Sequence, residues 1–338
     1  MKTRYLPLIA TIIVFVSLYL WGALQFDNFF SMRVFTNLFT DNAFLVITAI
    51  GMTFVILSGG IDLSVGSMIA CVGVSVAVLI EHYQFHPILA FTIVLISAWM
   101  FGTFMGILIE RYKLPPFIVT LAGMFFLRGL SFVISIESIP ITHPFYDEIA
   151  DFSIPVIGGG NLTASTVIML IVLIIAVFLA HYTRFGRNVY AVGGNESSAR
   201  LLGVPVSRTI INTYAFNSFL AALSGIVFSF YTFSGYSLAA MGLELDAIAS
   251  VVIGGTLLTG GVGFVVGTVF GVLIQGVIQT IISFDGTLNS WWTKIFIGLL
   301  LFVFIAMQRL ISSGHILVYF KNMKGRVIGD TKADTTRY

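Results

Sequence analysis

Apolar residues come in long runs along the chain, at 5–25, 43–58, 65–80, 87–109, 115–136, 164–182, 210–233, 247–258, 261–282 and 291–308, with polar residues gathered between them. A helix needs about 20 mostly apolar residues to cross the hydrocarbon core of a bilayer, roughly 30 Å thick, and most of these runs approach that length. The pattern predicts an all-α, polytopic helix bundle of about ten transmembrane helices. The first run follows Lys2 and Arg4 but has no small-x-small cleavage site after it. It therefore reads as an uncleaved first helix rather than a removed signal. The ambiguous stretch is 247–282, which as one helix would be about 54 Å long. Glycine pairs break it at Gly254-Gly255 and Gly260-Gly261. Two crossings with a turn near 259–263 are expected. The first piece is then either extended upstream through 243–246 or short of a full crossing.

Composition narrows the class further. Hydrophobic residues make up 58% of the 338 and charged residues 9%, against about 25% charged in an ordinary soluble chain. That excludes a soluble globular domain, a disordered chain and a nucleic-acid binder. The net charge of +2 carries little information; its placement carries more. With the N-terminus in the cytoplasm, the inner segments hold Lys2, Arg4, Arg111, Lys113, Arg184, Arg187, Arg200, Arg208 and six basic residues from Arg309 to Arg337, which is 14 of the 17. The outer loops hold only Arg33, and Arg128 and Lys294 fall inside spans. By the positive-inside rule both termini are cytoplasmic and the number of crossings is even. Residues 1–313 form a single transmembrane domain, and 314–338, charged and without apolar periodicity, a mobile cytoplasmic tail. A single cysteine, Cys71, allows no intrachain disulfide or thiolate metal site. His82 and His86 precede Pro87 in a short loop with no Glu between them, so an ordinary polar loop is expected and no metal.

Several polar or glycine-rich features interrupt the apolar pattern. Gly59-Gly60 precede Ile61-Asp62-Leu63-Ser64, and Gly66 follows. This reads either as a tight turn whose Asp62 or Ser64 caps the next helix, or as a helix break facing a solute path, where non-helical backbone is tolerated at depth. Gly263, Gly267 and Gly271 recur every four residues, as do Gly102 and Gly106, a spacing that suits close helix packing. Arg128 lies deep in the fifth span, where a charge costs about 2.5–3.5 kcal/mol on insertion scales. A structural salt bridge and a role in a polar path both fit. Thr120, about 80° away on the same helix, adds a hydroxyl. In the inner loop 183–209, Asn195 suits an N-cap, Glu196 a first turn, Arg200 a last turn and Gly203 a C′ position, with Pro205 beyond. A two-turn helix is written there, with Ala199, Leu202 and Gly203 as a small apolar patch. So short a helix is unstable alone in water and needs a surface, either its own bundle or a partner. The outer loop 137–163 is acidic, rich in Pro and Gly, and long enough to present a surface.

No Walker A loop, no H-E-x-x-H, no paired intramembrane carboxylates and no nucleophile–base set occur in the sequence. Catalysis by this chain, ATP hydrolysis included, is not expected.

Taken together these segments resemble the permease subunits of bacterial ribose-type sugar ABC importers, the family that also serves arabinose and galactofuranose. The likeness rests on the run from Gly51 to Ser67 with Gly59-Gly60-Ile61-Asp62-Leu63-Ser64-Val65-Gly66 inside it, and on Pro116-Phe117-Ile118-Val119-Thr120-Leu121 with Arg128-Gly129. It continues through Gly186-Arg187 and Gly193-Gly194-Asn195 to Leu202-Gly203. It ends on Glu244-Leu245-Asp246-Ala247-Ile248-Ala249, Val252-Ile253-Gly254-Gly255-Thr256 and Gly260-Gly261. It spans roughly 43–308 and looks most like the permeases of galactofuranose importers. Phe264 and Val265 depart from it, since relatives often carry a basic residue there. The resemblance implies a bacterial inner-membrane, multi-pass, non-catalytic subunit without cofactors or metal. Its implied partners are a cytoplasmic ABC ATPase, a periplasmic sugar-binding protein, a second and related permease chain, and membrane lipid. It implies an ATPase coupling element over Gly186, Arg187, Gly193, Asn195, Glu196, Ala199, Arg200, Leu202 and Gly203. A translocation path of short polar groups is expected at Thr53, Asp62, Ser64, Thr120, Arg128, Thr256 and Thr259. The alternative class is a self-sufficient secondary carrier, which broken helices also suit.

Overall fold

Helix length and helix breaks sort the apolar runs into their places. A computed structural model of the chain describes residues 5–289 and 291–312; the tail expected at 314–338 lies outside them. In chain order the helices are α1 (Leu6–Gln25), α2 (Met32–Leu57), α3 (Val65–Glu81), α4 (Pro87–Arg111), α5 (Pro116–Ile134), α6 (Pro144–Asp151), α7 (Ala164–Tyr182), α8 (Arg184–Gly194), α9 (Glu196–Leu201), α10 (Val206–Thr232), α11 (Leu243–Ile253), α12 (Val265–Asp285) and α13 (Trp291–Ser312). Among the described residues eight of these are long and apolar enough to cross a membrane: α1, α2, α4, α5, α7, α10, α12 and α13. The protein is a polytopic all-α membrane bundle.

Two predicted spans take a shorter form. The run at 65–80 becomes α3, 17 residues and about 25 Å long. The run at 247–258 becomes α11, which starts upstream at Leu243 and has 11 residues, about 16 Å. The chain then runs without helix from 254 to 264 before α12 begins. In the other direction, α2 starts at Met32 rather than at 43. Ser31 caps it, its Oγ accepting from Val34 N at 3.3 Å, and Asp41 and Asn42 lie within the helix.

A helix apolar on all sides is a buried one. From Leu45 to Leu57 every residue of α2 is buried, and α10 and α12 are likewise mostly enclosed. By contrast α1, α4, α5, α7 and α13 keep most of their surface outward, as a lipid-facing ring requires. α4 lies tightly on α10 because a side chain at Gly106 would stand 2.8 Å from Ile211 Cα. On the face away from α8 and α9, residues 139–163 fold into a cap. Strand β1 (Ile139–Pro140) pairs antiparallel with β4 (Ser234–Gly235), and β2 (Ser153–Val156) forms a hairpin with β3 (Gly160–Thr163). Glu81 at the end of α3 accepts from Thr142 N (2.6 Å) and Thr142 Oγ1 (3.0 Å). Tyr146 of α6 is buried, which pushes its phenol pKa well up, and its OH lies 2.9 Å from Ser229 Oγ of α10. The acidic loop is thus anchored to two helices.

The broken end of α11 is satisfied by its neighbours. Thr11 Oγ1 of α1 donates to Ile253 O (2.5 Å), and Gln308 Nε2 of α13 to Val252 O (3.0 Å). Tyr190 OH of α8 donates to Gly263 O (2.8 Å). Gly261 N donates to Leu57 O at the end of α2 (2.9 Å). Three glycine pairs, Gly59-Gly60, Gly193-Gly194 and Gly260-Gly261, converge here with backbone against backbone. A Cβ at Gly193 would strike Leu57 O and stand 2.7 Å from Gly261 N, whereas one at Gly194 meets nothing within 4 Å.

This junction makes a prediction about two neighbouring glycines. Gly193→Ala forces backbone apart and should destabilise the folded protein by about 1–3 kcal/mol, the usual cost of overpacking. Gly194→Ala should be neutral. Denaturation of the purified protein in detergent checks this; equal stability of the two variants would show that the junction is not tightly packed.

Candidate functional site: the α8–α9 segment and the polar residues of the spans

The segment after α7 folds into two short helices. Thr183 caps α8, its Oγ1 accepting from Gly186 N (3.3 Å), and Gly186 tucks against the carbonyls of Leu179 and Ala180. Asn195 then caps α9, Oδ1 accepting from Ser198 N (2.7 Å), and Gly203 closes it with φ of +78°. Glu196 and Arg200 sit one turn apart, 2.9 Å between Oε1 and Nη2. The capped helix expected at 195–202 is therefore present, six residues long. α8, also helical, had no signal beyond Thr183 and a mixed pattern.

The apolar residues of α9 divide. Ala199 is buried against the bundle, while Leu201 and Leu202 are 89% and 83% exposed. Leu201 lies outside the patch expected from the sequence, and its neighbour Leu202, which belongs to it, is exposed as well. Arg187 is exposed as well.

An ionic cluster ties α9 to the bundle. Glu110, at the end of α4 and only 4% exposed, accepts from Lys113 Nζ (2.6 Å), Arg200 Nη2 (3.2 Å) and Ser207 Oγ (2.7 Å). Lys113 Nζ also lies 3.7 Å from Glu196. The bonds from Glu196 and Glu110 raise the pKa of Arg200, so its charge is constant at any working pH. A buried carboxylate with two cations and a hydroxyl around it has its desolvation offset, and loss of one partner leaves a costly remainder.

The polar residues expected along a path lie mostly in packed surroundings. Asp62 is fully buried; Oδ1 accepts from Ser64 N (2.8 Å) and Ser64 Oγ (2.6 Å), and Oδ2 from Asn217 Nδ2 of α10 (2.8 Å). Asp62 thus closes a tight turn onto Ser64 just ahead of α3, but neither Asp62 nor Ser64 caps the helix with its side chain, so the expected cap is not formed. Thr120 Oγ1 donates to Pro116 O (2.9 Å) and reaches Ile61 O at 3.4 Å. Arg128 forms no ion pair among the described residues; its Nη1 donates to Ser237 O (2.5 Å) and Ala239 O (2.9 Å), in the loop between α10 and α11. Thr53 Oγ1 is 2.7 Å from Thr268 Oγ1, joining α2 to α12. Thr256 is buried with an unpartnered hydroxyl, and Thr259 is exposed beside the glycine junction.

A larger opening lies elsewhere. A cavity of about 740 Å³ sits between α2, α10, α11, α12 and α13, near the start of α2 and the end of α12. None of the seven expected path residues lines it. Its polar lining includes Asp41, Asp246, Gln275, Gln279, Thr293 and Lys294, which sequence reasoning missed. The signal was present in α12, where Gln275, Gln279 and Ser283 recur every four residues and so share one helix face.

Comparison with known proteins agrees with this architecture. Residues 34–305 match the family described as branched-chain amino acid transport system / permease component. The chain is 60% identical over 309 residues to the inner membrane ABC transporter permease protein YjfF of Escherichia coli K12, covering 91% of this chain and 93% of that one. It is 37% identical over 318 residues to the fructose import permease protein FruG of Bifidobacterium longum, 92% of each. The ribose import permease protein RbsC of Escherichia coli K12 is 37% identical over 269 residues, 79% of this chain and 83% of the other. No solved structure matches the chain. With the family model covering most of its length and relatives aligned over nearly all of it, this chain belongs to that family of permease components and is similar to the permeases of ribose-type sugar ABC importers.

Proposed function

We propose that this chain is the membrane-spanning subunit of an ATP-driven sugar importer, and that α8 and α9 receive the force of a separate ATPase. The observation that carries the reading is α9 itself. It is a capped helix, locked to the bundle through Ala199 and Arg200, that holds Leu201 and Leu202 out in water. Two exposed leucines on an element that cannot fold alone fit a docking surface. A self-sufficient carrier has no partner to seat there. The subunit has no catalysis of its own.

The remaining assignments follow the same reading. Both termini and the α8–α9 face are cytoplasmic, supported by the 14 of 17 basic residues that this orientation places inside. The cap at 139–163 faces the periplasm, where a sugar-binding protein docks. A second, related permease completes the pore. The solute is a monosaccharide, for which relatives named ribose and fructose import permeases give support, and galactofuranose is the sugar we favour.

Two experiments test this. Cysteines introduced as Ser312→Cys and Asp147→Cys should label from opposite sides of the membrane, the first from the cytoplasm; labelling from one side removes the orientation. Leu202→Asp should abolish uptake and strip the ATPase from the purified complex, because a carboxylate buried unpaired in an apolar groove costs several kcal/mol. Asn195→Ala should act more weakly, near the ~1 kcal/mol of a lost cap. Copurification of the ATPase alongside uptake in cells provides both readouts, and full transport with retained ATPase in the Leu202 variant would sink the coupling assignment.

A further inference from the structure

We infer that the cavity between α2, α10, α11, α12 and α13 is a sugar-binding subsite contained within this one subunit. It takes a neutral, polyhydroxylated solute on its way inward from the outer face. The inference rests on the importer reading above, which supplies the orientation.

The first support is a set of polar groups without partners. Asp41 lies on the tenth residue of α2, about 14 Å along the helix from its start. It lines the cavity and has neither a hydrogen bond nor an ion pair among the described residues. Asn42, beside it, donates to Leu38 O (2.8 Å). Gln279 faces the same space, and no bond to its side chain forms among the described residues. Thr293 is only 7% exposed, and its buried hydroxyl has no partner there either. Thr293 is the buried one of the three, and a buried polar group without a hydrogen bond needs a cause; Asp41 and Gln279 are exposed to the open cavity. An ionisable group inside a membrane span, facing a cavity, is a functional candidate on physical grounds.

The lining also selects among solutes. Asp246 and Lys294 neutralise each other, with Nζ 2.7 Å from Oδ1 and 2.5 Å from Oδ2. That leaves Asp41 as the uncompensated charge, which disfavours an anionic lipid headgroup. A resident cation would need several oxygen ligands, and no group of acids that could hold a metal occurs among the described residues. A sugar suits what remains. Its hydroxyls donate to the Asp41 carboxylate and exchange bonds with the amide of Gln279 and the hydroxyl of Thr293. Its C–H faces lie on the rings of Trp291 and Phe284, which also line the cavity. A volume of about 740 Å³ falls within the ~300–1,000 Å³ of small-molecule sites and leaves room for a hydrated monosaccharide.

The test uses the whole complex of permeases, ATPase and binding protein in proteoliposomes, with D-galactose (which equilibrates with its minor furanose form in water), D-ribose and D-fructose as probes. Asp41→Asn and Gln279→Leu should each lower uptake of the transported sugar by about tenfold, the effect of one lost charge-assisted or buried hydrogen bond. Hydrolysis of ATP stimulated by the binding protein should persist in both, and Asp41→Glu should recover part of the transport. As a second readout, Gln279→Cys should react with a membrane-impermeant thiol reagent from the outer side, and the transported sugar should slow that reaction. Variants that transport like the wild type, or a cysteine at 279 that never labels or is never protected, would overturn the subsite. If the wild-type complex carries none of the three sugars, the importer reading fails instead.

Discussion

In a hydrocarbon core no water is present to satisfy a peptide N–H or C=O, so every interruption of a helix must find its partners inside the protein. Among the described residues three such interruptions are closed by side-chain bonds, mostly from other helices. At the end of α11 the donors are Thr11, Gln308 and Tyr190. Between α2 and α3, the carboxylate of Asp62 takes up Ser64 and Asn217, and Thr120 reaches Ile61 O. Between α10 and α11, Arg128 supplies both bonds to Ser237 O and Ala239 O. The helices are therefore joined by polar links at depth, and the apolar surfaces between them set only how closely they approach.

Those links give α8 and α9 their mechanical reach. Sequence order suggests that a push on α9 passes to the helices that flank it, α7 and α10. The contacts extend further. Arg200 grips Glu110 at the end of α4, and Gly193 of α8 wedges between Leu57 of α2 and Gly261. Tyr190 holds the loop ahead of α12. A displacement of α8 and α9 thus acts directly on α2, α4 and the break before α12. Two of these, α2 and α12, are buried helices that wall the large cavity.

The bundle was legible in the sequence because a span needs only length and apolarity, and α9 because caps are local chemistry written in single residues such as Asn195 and Gly203. Less legible were features whose signal is not local. α2 begins at Met32, ahead of its apolar run, where Ser31 caps it, and Asp41 and Asn42 lie inside the helix. The cap at 139–163 reads as an acidic loop until Glu81 and Tyr146 are seen to hold it. α11 is shorter than a span because Gly254 and Gly255 end it, and only the donors from α1 and α13 make that ending tolerable. Arg128 was expected either to pair with an acid or to face a path. Backbone carbonyls, which no side-chain pattern reveals, take that place.

Polar residues at depth in this protein fall into two classes, and the division tells structure from function. Thr11, Asp62, Thr120, Arg128 and Gln308 are rare residues in apolar surroundings, and rarity alone marks them as candidates for a transport path. Each is nonetheless bonded to groups the fold leaves exposed, mainly main-chain carbonyls. Mutating one would disturb assembly whether or not a solute passes nearby. Asp41, Gln279 and Thr293 do nothing of this kind. The fold gains no hydrogen bond from them, and an apolar residue at any of the three positions would be easier to insert. A polar group that lines an open cavity with no structural partner is the kind that a passing solute can use. It can bond the solute without first breaking a bond that holds the bundle together.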